Sequence, residues 1–460
     1  MLNLERMKSQ ALSRSLQVAR FVTHDTATQD TRDWSSLLLR GVAILIPFGL
    51  MMAHFNQGAD VASVTVLFVI ALCLLFAIAL CVTRLETISF GMVAIALLFL
   101  TWWYLGLFGN WHQAQYEVQA LIAGGAVLGS GYLIGRKRGG LDLAWKALIW
   151  TLLIFILAAA IGYFTQITDQ GRYGSRISAG FGSPNTAATL FGIAILLSAG
   201  KLLVRFQDPR FNKRPRADRI RFWAQHDYPS FVLLILASAC LLFTVSRMGI
   251  LISLVSATGL IAFESLRMTR RGRLSFLRRR RVSIPVILGV LFILLLAISG
   301  EINPNHREAL LANVDGRAQA FSIYWDTWLE KPWFGHGLGS FNTVNDSVTT
   351  LENAGAMMPL GAAHNVFLQW LLQQGAVGLG AMVLVFAIIF SPIVFALGSR
   401  SRKPRNFLRL SLAISYLVFA HGLVDYALEI PSVMWTYAFI LGLAAGYAHR
   451  TRVRRASSDE

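Results

Sequence analysis

Residues 61–83 read VASVTVLFVIALCLLFAIALCVT, a stretch without one Asp, Glu, Lys or Arg. As a helix rising 1.5 Å per residue it reaches roughly 33 Å, enough to cross a hydrocarbon core of about 30 Å. Runs of this kind recur along the whole 460 residues. The chain is 55% hydrophobic and 14% charged, whereas a soluble domain carries roughly 25% charged residues. The reading is therefore an all-α polytopic membrane protein. The runs place about twelve transmembrane helices, at 37–55, 61–83, 87–108, 116–135, 143–165, 186–204, 228–245, 248–266, 282–300, 376–397, 407–426 and 433–449. The first 35 residues are polar and basic, and no cleavable signal peptide is expected in them.

The net charge of +18 does not point to nucleic acid. With the N-terminus in the cytoplasm, all but six of the 42 Lys and Arg fall in or beside cytoplasmic segments, as the positive-inside rule requires. RFQDPRFNKRPRADRIR (205–221), RMTRRGRLSFLRRRR (267–281), RSRKPR (400–405) and RTRVRR (450–455) are topology signals that also meet anionic membrane lipids. The organisation expected is a basic cytoplasmic N-terminus (1–36), spans 1–5 (37–165), a region of spans 6–12 (166–449) and a cytoplasmic tail (450–460). Cys73 and Cys81 share one helix about 12 Å apart, too far to bridge, and Cys240 lies in another span. All three read as small packing residues.

The six exceptions are Arg172, Arg176, Arg247, Arg307, Arg317 and Lys331. They fall in TQITDQGRYGSRISAGFGSPN (165–185), in the tight turn TVSRMG (244–249) and in the large outer segment 301–375 between spans 9 and 10. Arginine presents a planar fork that matches phosphate oxygens two at a time. Arg176, Arg247 and Arg317 come from three separate outer segments, and together they would suit a diphosphate. Such a clamp stabilises a phosphoryl leaving group without a metal, and no metal-ligand spacing is present in the outer segments. Arg172 and Arg307 read as solvated or lipid-facing.

Within the large segment Asp315 reads as the N-cap of a helix over about 316–330, ended by Lys331-Pro332. FGHGLGSF (334–341) follows as a Gly-rich turn; no strand precedes it, so it is not a dinucleotide loop. A loop of about twenty residues then leads to AAHNVFLQWLLQQGAVGLG (362–380). There a second outer helix starts at His364, with Asn365, Gln369 and Gln373 as a polar stripe, before the span from about 376. A helix N-terminus disfavours the imidazolium form, and a neutral imidazole can act as a general base; a capping or packing histidine is the plainer possibility. Trp325, Trp328 and Trp333 suit either sugar stacking or anchoring at the membrane interface. In HGLVDYALEIP (421–431) His421 and Asp425 lie one helical turn apart, as a structural polar pair or a proton relay.

Taken in order, GSRISAGFGSPNTAA (174–188), TVSRMG, GRAQAFSIYWDTWLEKPWFGHGLGSF (316–341) and AHNVFLQWLLQQGAVG (363–378) resemble the O-antigen ligase and polysaccharide polymerase superfamily. The resemblance runs from about 165 to 435. It implies twelve spans in the bacterial inner membrane with both termini cytoplasmic, a periplasmic active site and no cofactor. It implies transfer of a glycan from an undecaprenyl diphosphate carrier to an acceptor hydroxyl. His364 matches the histidine that activates that hydroxyl. Arg176, Arg247 and Arg317 match arginines that hold the diphosphate. Asn365, Asn185, His421 and Asp425 take supporting roles. A ligase delivers the glycan to lipid A–core, a polymerase to another carrier-linked unit, an oligosaccharyltransferase to a protein. The short stretch after the last span weighs against the third. A transporter or flippase is the reading from another class; the absence of an internal repeat and the clustering of charge at span ends speak against it.

Overall fold

The computed structural model describes residues 34–59, 62–83, 111–165, 176–206, 227–270, 304–358, 360–398 and 406–459, together with 215, 217, 218 and 221. The spans expected at 87–108 and 282–300, Arg172 and the basic stretches at 1–33, 207–214, 271–281 and 400–405 lie outside these residues, as does the side chain of Arg307. The described residues are helical and contain no strand. The helices are α1 (Trp34–Phe55), α2 (Ala62–Thr83), α3 (Trp111–Arg136), α4 (Gly140–Phe164), α5 (Pro184–Phe206), α6 (Tyr228–Phe243), α7 (Arg247–Arg270), α8 (Pro304–Glu330), α9 (Phe341–Val348), α10 (Ala354–Met357), α11 (Val366–Gly398), α12 (Asn406–Gly422) and α13 (Pro431–Asp459).

Seven of them are long and apolar enough to cross a membrane: α1–α5, α7 and α11. The expected spans at 228–245, 407–426 and 433–449 fall on α6, α12 and α13. Helix α6 is apolar but has 16 residues, and α12 and α13 are not among the seven. Leu67, Leu74, Ile154 and Phe395 stay exposed on the outer surface of the bundle, where hydrocarbon rather than water is the fitting solvent for them.

Two substructures share the work. The closest approach in the bundle is α3 against α13. A Cβ on Gly131 would stand 2.6 Å from the Phe439 carbonyl oxygen, and one on Gly446 2.0 Å from that of Tyr132. Gly131 and Gly135 face Gly442 and Gly446, a small-xxx-small pair on each helix that lets the backbones touch where the hydrophobic effect no longer drives association. Helix α5 is nearly enclosed between α6, α7 and α12, with Leu190, Phe191, Ile193 and Leu196 fully buried.

Above the bundle, α8, α9, α10 and the start of α11 close a second, smaller core of Ala320, Tyr324, Phe341, Val344, Met357, Leu368 and Leu372. Tyr324 donates to Asn345 Oδ1 at 2.6 Å inside it. Helix α8 begins at Pro304, so Asp315 lies within it and is not its cap. It ends at the expected Lys331-Pro332. The loop expected before His364 contains α9 and α10. The second outer helix and the following span are one continuous run broken at Gly375, whose φ of 64° and ψ of −167° interrupt the helix at the expected place. The break exposes N–H groups that the two residues before the Gly-rich turn accept: Ala376 donates to the Pro332 carbonyl and Val377 to that of Trp333. A Cβ on Gly335 would collide with the Gln373 backbone at 2.5 Å, so only glycine lets the two chains cross here.

Candidate functional site

The site is assembled where three segments meet at the end of the bundle below that smaller core. The first is the extended stretch from Arg176 into α5. Arg176 Nε donates to the Thr244 carbonyl at 2.8 Å, and its Nη2 to Asn185 Oδ1 at 3.4 Å. This ties the first segment to the turn before α7. In that turn Val245 takes a positive φ of 50°, and the exposed Arg247 starts α7 three residues after the carbonyl that Arg176 holds.

The second segment is α8. Arg317 points its guanidinium at the Val424 carbonyl, 3.5 Å away. Its charge is felt by Arg176, whose guanidinium is held below its usual range by burial and then by Arg317. Two arginines from segments 141 residues apart in sequence are thus electrostatic neighbours. Among the described residues neither has a carboxylate within ion-pair distance.

The third segment is the junction into α11. Asn365 caps that helix: its Oδ1 accepts the N–H groups of Phe367 at 3.1 Å and Leu368 at 3.2 Å. His364 therefore precedes the cap, and a capping role does not explain it. Its backbone has a φ of 52°, a left-handed conformation costly for a residue with a Cβ. The ring packs edge-on against Tyr426, centroids 4.8 Å apart at 85°, and is 15% exposed. Burial, with Arg317 next, lowers its pKa to about 4, so the imidazole is neutral near pH 7. The cause expected from sequence was the helix N-terminus; burial and an arginine are the causes found.

Asp425 faces the same ring. Its Oδ1 stands 3.9 Å from His364 Nδ1, beyond hydrogen-bond reach. Both carboxylate oxygens and Nδ1 are buried without a hydrogen bond of regular geometry. The N–H groups of Tyr426 and Ala427, Arg317 and the Thr186 hydroxyl all favour the anion, yet burial outweighs them and raises the carboxyl to about 7. The pair expected between His421 and Asp425 is not formed. Helix α12 ends at Gly422, so Asp425 leaves the helical register on which an i, i+4 contact depends. His421 Nδ1 bonds the Thr189 hydroxyl at 2.7 Å instead.

The expected polar stripe on α11 turns inward. Gln369 Oε1 accepts from Ala363 N at 2.9 Å, and Gln373 is bound to Glu117 of α3 at 3.2 Å. Trp328 is also used structurally, its indole donating to the Pro332 carbonyl, whereas Trp325 and Trp333 are exposed. Tyr426, Thr186 and Thr189 were not singled out from sequence. Tyr426 stands inside the quoted HGLVDYALEIP, but nothing in that pattern shows that its ring would meet His364. Among the described residues no group of three or more His, Cys, Asp and Glu could hold a metal.

The arrangement sets a neutral imidazole beside a buried carboxyl and within the field of Arg317, which in turn neighbours Arg176. It can take a proton from a hydroxyl while positive charge waits a short distance away for an anion. No curated protein matches the chain. The family model described as O-antigen ligase matches residues 232–383, a stretch that holds Arg247, Arg317 and His364 but not Arg176, Asn185, His421 or Asp425. That match, over about a third of the chain, supports the resemblance of this membrane protein to the O-antigen ligase and polysaccharide polymerase superfamily.

Proposed function

We propose that the chain is a glycosyltransferase of the bacterial inner membrane, with twelve spans, cytoplasmic termini and a periplasmic site. It moves a glycan from undecaprenyl diphosphate to a hydroxyl of lipid A–core. The observation that supports this most is the placement of His364 beside Arg317 and Arg317 beside Arg176, with no carboxylate among the described residues paired to either arginine.

In this reading Arg176, Arg317 and Arg247 hold the diphosphate, and their fixed charge stabilises it as it departs. His364 takes the proton of the acceptor hydroxyl. That oxygen attacks the anomeric carbon from the face opposite the diphosphate, the bond from carbon to phosphate oxygen breaks, and its electron pair leaves with undecaprenyl diphosphate. The anomeric configuration inverts. Asp425, as an anion, steadies the imidazolium that forms, and Tyr426 fixes the ring plane. Asn185 orients Arg176, Asn365 fixes the start of α11, and His421 locks α12 to α5. The arginines supply the positive charge that a metal provides in other phosphoryl-leaving chemistry, so the reaction runs without one.

The same residues would serve a polymerase that delivers the glycan to a second carrier-linked unit. The surface glycan of a deletion strain complemented with wild type or His364→Ala separates the two. A lipid A–core bare of repeat units, with long carrier-linked chains accumulating, identifies the ligase. A lipid A–core bearing a single unit identifies the polymerase. An unchanged glycan in both strains contradicts both.

A further inference from the structure

The smaller core carries an apolar surface that the chemistry above does not use. Over its last three turns α8 shows three kinds of face. Ala320, Tyr324 and Thr327 are buried. Ser322, Asp326 and Glu330, at i, i+4 and i+8, form an exposed polar row. Between these lie Trp325, Trp328 and Leu329, at i, i+3 and i+4. Trp325 and Leu329 are exposed, and the Trp325 and Trp328 rings meet edge to face with centroids 4.7 Å apart. The Trp328 indole donates to the Pro332 carbonyl at 3.1 Å, and the turn that this bond holds presents Trp333 and Phe334, 68% and 66% exposed. A helix that already gives a polar row to water has no need of a second, apolar row on its outside unless that row meets another medium.

Hydrogen bonds fix the height of this surface against the bilayer. At the Gly375 break Ala376 N donates to the Pro332 carbonyl at 2.8 Å and Val377 N to the Trp333 carbonyl at 3.1 Å. There the polar stripe of α11 ends and its apolar span begins. Val377 and Leu384, two turns apart on one face of that span, are both exposed and so face hydrocarbon. Trp333 is thus bonded to the first lipid-facing turn of the span, and the apolar patch continues the membrane-facing surface. Tryptophan suits this depth, with an apolar ring and a polar N–H. The exposed Lys331 beside it can lay its stem on apolar surface and keep its charge among headgroups. A sugar-binding platform would set hydrogen-bonding groups around its rings, whereas Leu329 and Phe334 accompany these. We propose that Trp325, Leu329, Trp333 and Phe334 form an interfacial anchor that seats the smaller core on the bilayer, its partner being the headgroup–acyl boundary of the leaflet at the site end. Arg317 stands on the same helix eight residues before Trp325, about 12 Å along the axis, so the anchor sets the height of that guanidinium above the lipid. It needs only the membrane-spanning fold, not the transfer chemistry.

The test places one nitroxide at a time on the full chain carrying Cys73→Ala, Cys81→Ala and Cys240→Ala, in phosphatidylcholine–phosphatidylglycerol nanodiscs that hold a single copy each. Leu329→Cys and Phe334→Cys report the patch; Asp326→Cys and Glu330→Cys report the polar row of the same region. All four positions are exposed, so the label displaces no core residue. Electron paramagnetic resonance reads collisions with oxygen, which concentrates in lipid, and with a water-soluble nickel chelate. The ratio of oxygen to chelate collisions should be at least about threefold higher at 329 and 334 than at 326 and 330, with both patch labels within about 10 Å of the headgroup–acyl boundary. A single copy per disc leaves no second protein to cover the patch. Equal ratios at all four positions overturn the proposal. So does a patch open to the chelate that becomes protected only when a soluble glucan is added, which is the behaviour of a sugar platform. The same labels on His364→Ala should give the same ratios whatever its transfer activity, so failure of the anchor and failure of the glycosyltransferase reading are told apart.

Discussion

The two ends of this molecule treat positive charge in opposite ways. At the end away from the site, three partly buried cations of the bundle are matched with acids. Lys201 meets Asp142 at 2.6 Å, Arg205 grips Asp227 through two nitrogens, and Arg409 bonds Glu264. Asp227 and Glu264 are almost fully buried, so each pair neutralises a charge that would otherwise be costly there. At the site end Arg176 and Arg317 rest on carbonyl oxygens and on each other's field. The carboxyl of Asp425, which lies in the field of Arg317, is held partly protonated near neutral pH by its burial. Those three pairs are complete within the chain. The site end is arranged with cation charge to spare, which is the condition for receiving an anion.

The contrast can be broken by substitutions at either end. The largest effect is expected from His364→Ala, which removes the proposed base: transfer should fall about 10²–10⁴-fold, measured as undecaprenyl diphosphate released per mole of protein, while the amount in the membrane is unchanged. Next is Arg317→Lys. It keeps the charge but loses the two-nitrogen fork, and transfer should fall roughly 10²-fold. Activity equal to wild type would reduce Arg317 to a point charge. Asp425→Asn should act through pH. Since the carboxyl titrates at about 7, it is neutral below and anionic above. Wild-type transfer should therefore rise between pH 6 and 8, and the Asn variant should lose that limb. His364, lowered to about 4, stays neutral across this window and cannot produce the limb itself. The smallest catalytic effect belongs to the opposite end. Arg205→Ala leaves a buried Asp227 unpaired and should cost about 1–3 kcal/mol of stability, seen as a lower Tm, with transfer per folded molecule unaltered.

Much of the bundle was legible because a membrane span writes itself as an uninterrupted apolar run. Residues 61–83 needed no neighbours to be read. The break before the span at 376 was legible too, since the polar stripe stops there and Gly375 allows the turn. The candidate site could be proposed as residue types, not as an arrangement. Arg176, Arg317 and His364 stand out by carrying polar chemistry in segments where topology disfavours it, yet nothing local places Arg317 against Val424 or His364 against Tyr426. The partner assigned to Asp425 was misread for a physical reason: spacing of four predicts contact only while the helix continues, and α12 stops at Gly422. Asp315 was misread as a cap because a good capping residue within a helix looks the same in sequence as one at its start. Glu117 was passed over inside an apolar run, although a carboxylate there is costly enough to call for a reason.

The central claim is that the site end separates holding the diphosphate from removing the proton. The most direct measurement is donor binding and transfer, side by side, on purified wild type, His364→Ala and Arg317→Lys in nanodiscs with an undecaprenyl-diphosphate-linked glycan. The account predicts that His364→Ala binds the donor as tightly as wild type and does not transfer it, while Arg317→Lys binds it more weakly. Transfer by His364→Ala at the wild-type rate, or donor binding untouched by Arg317→Lys, would contradict it.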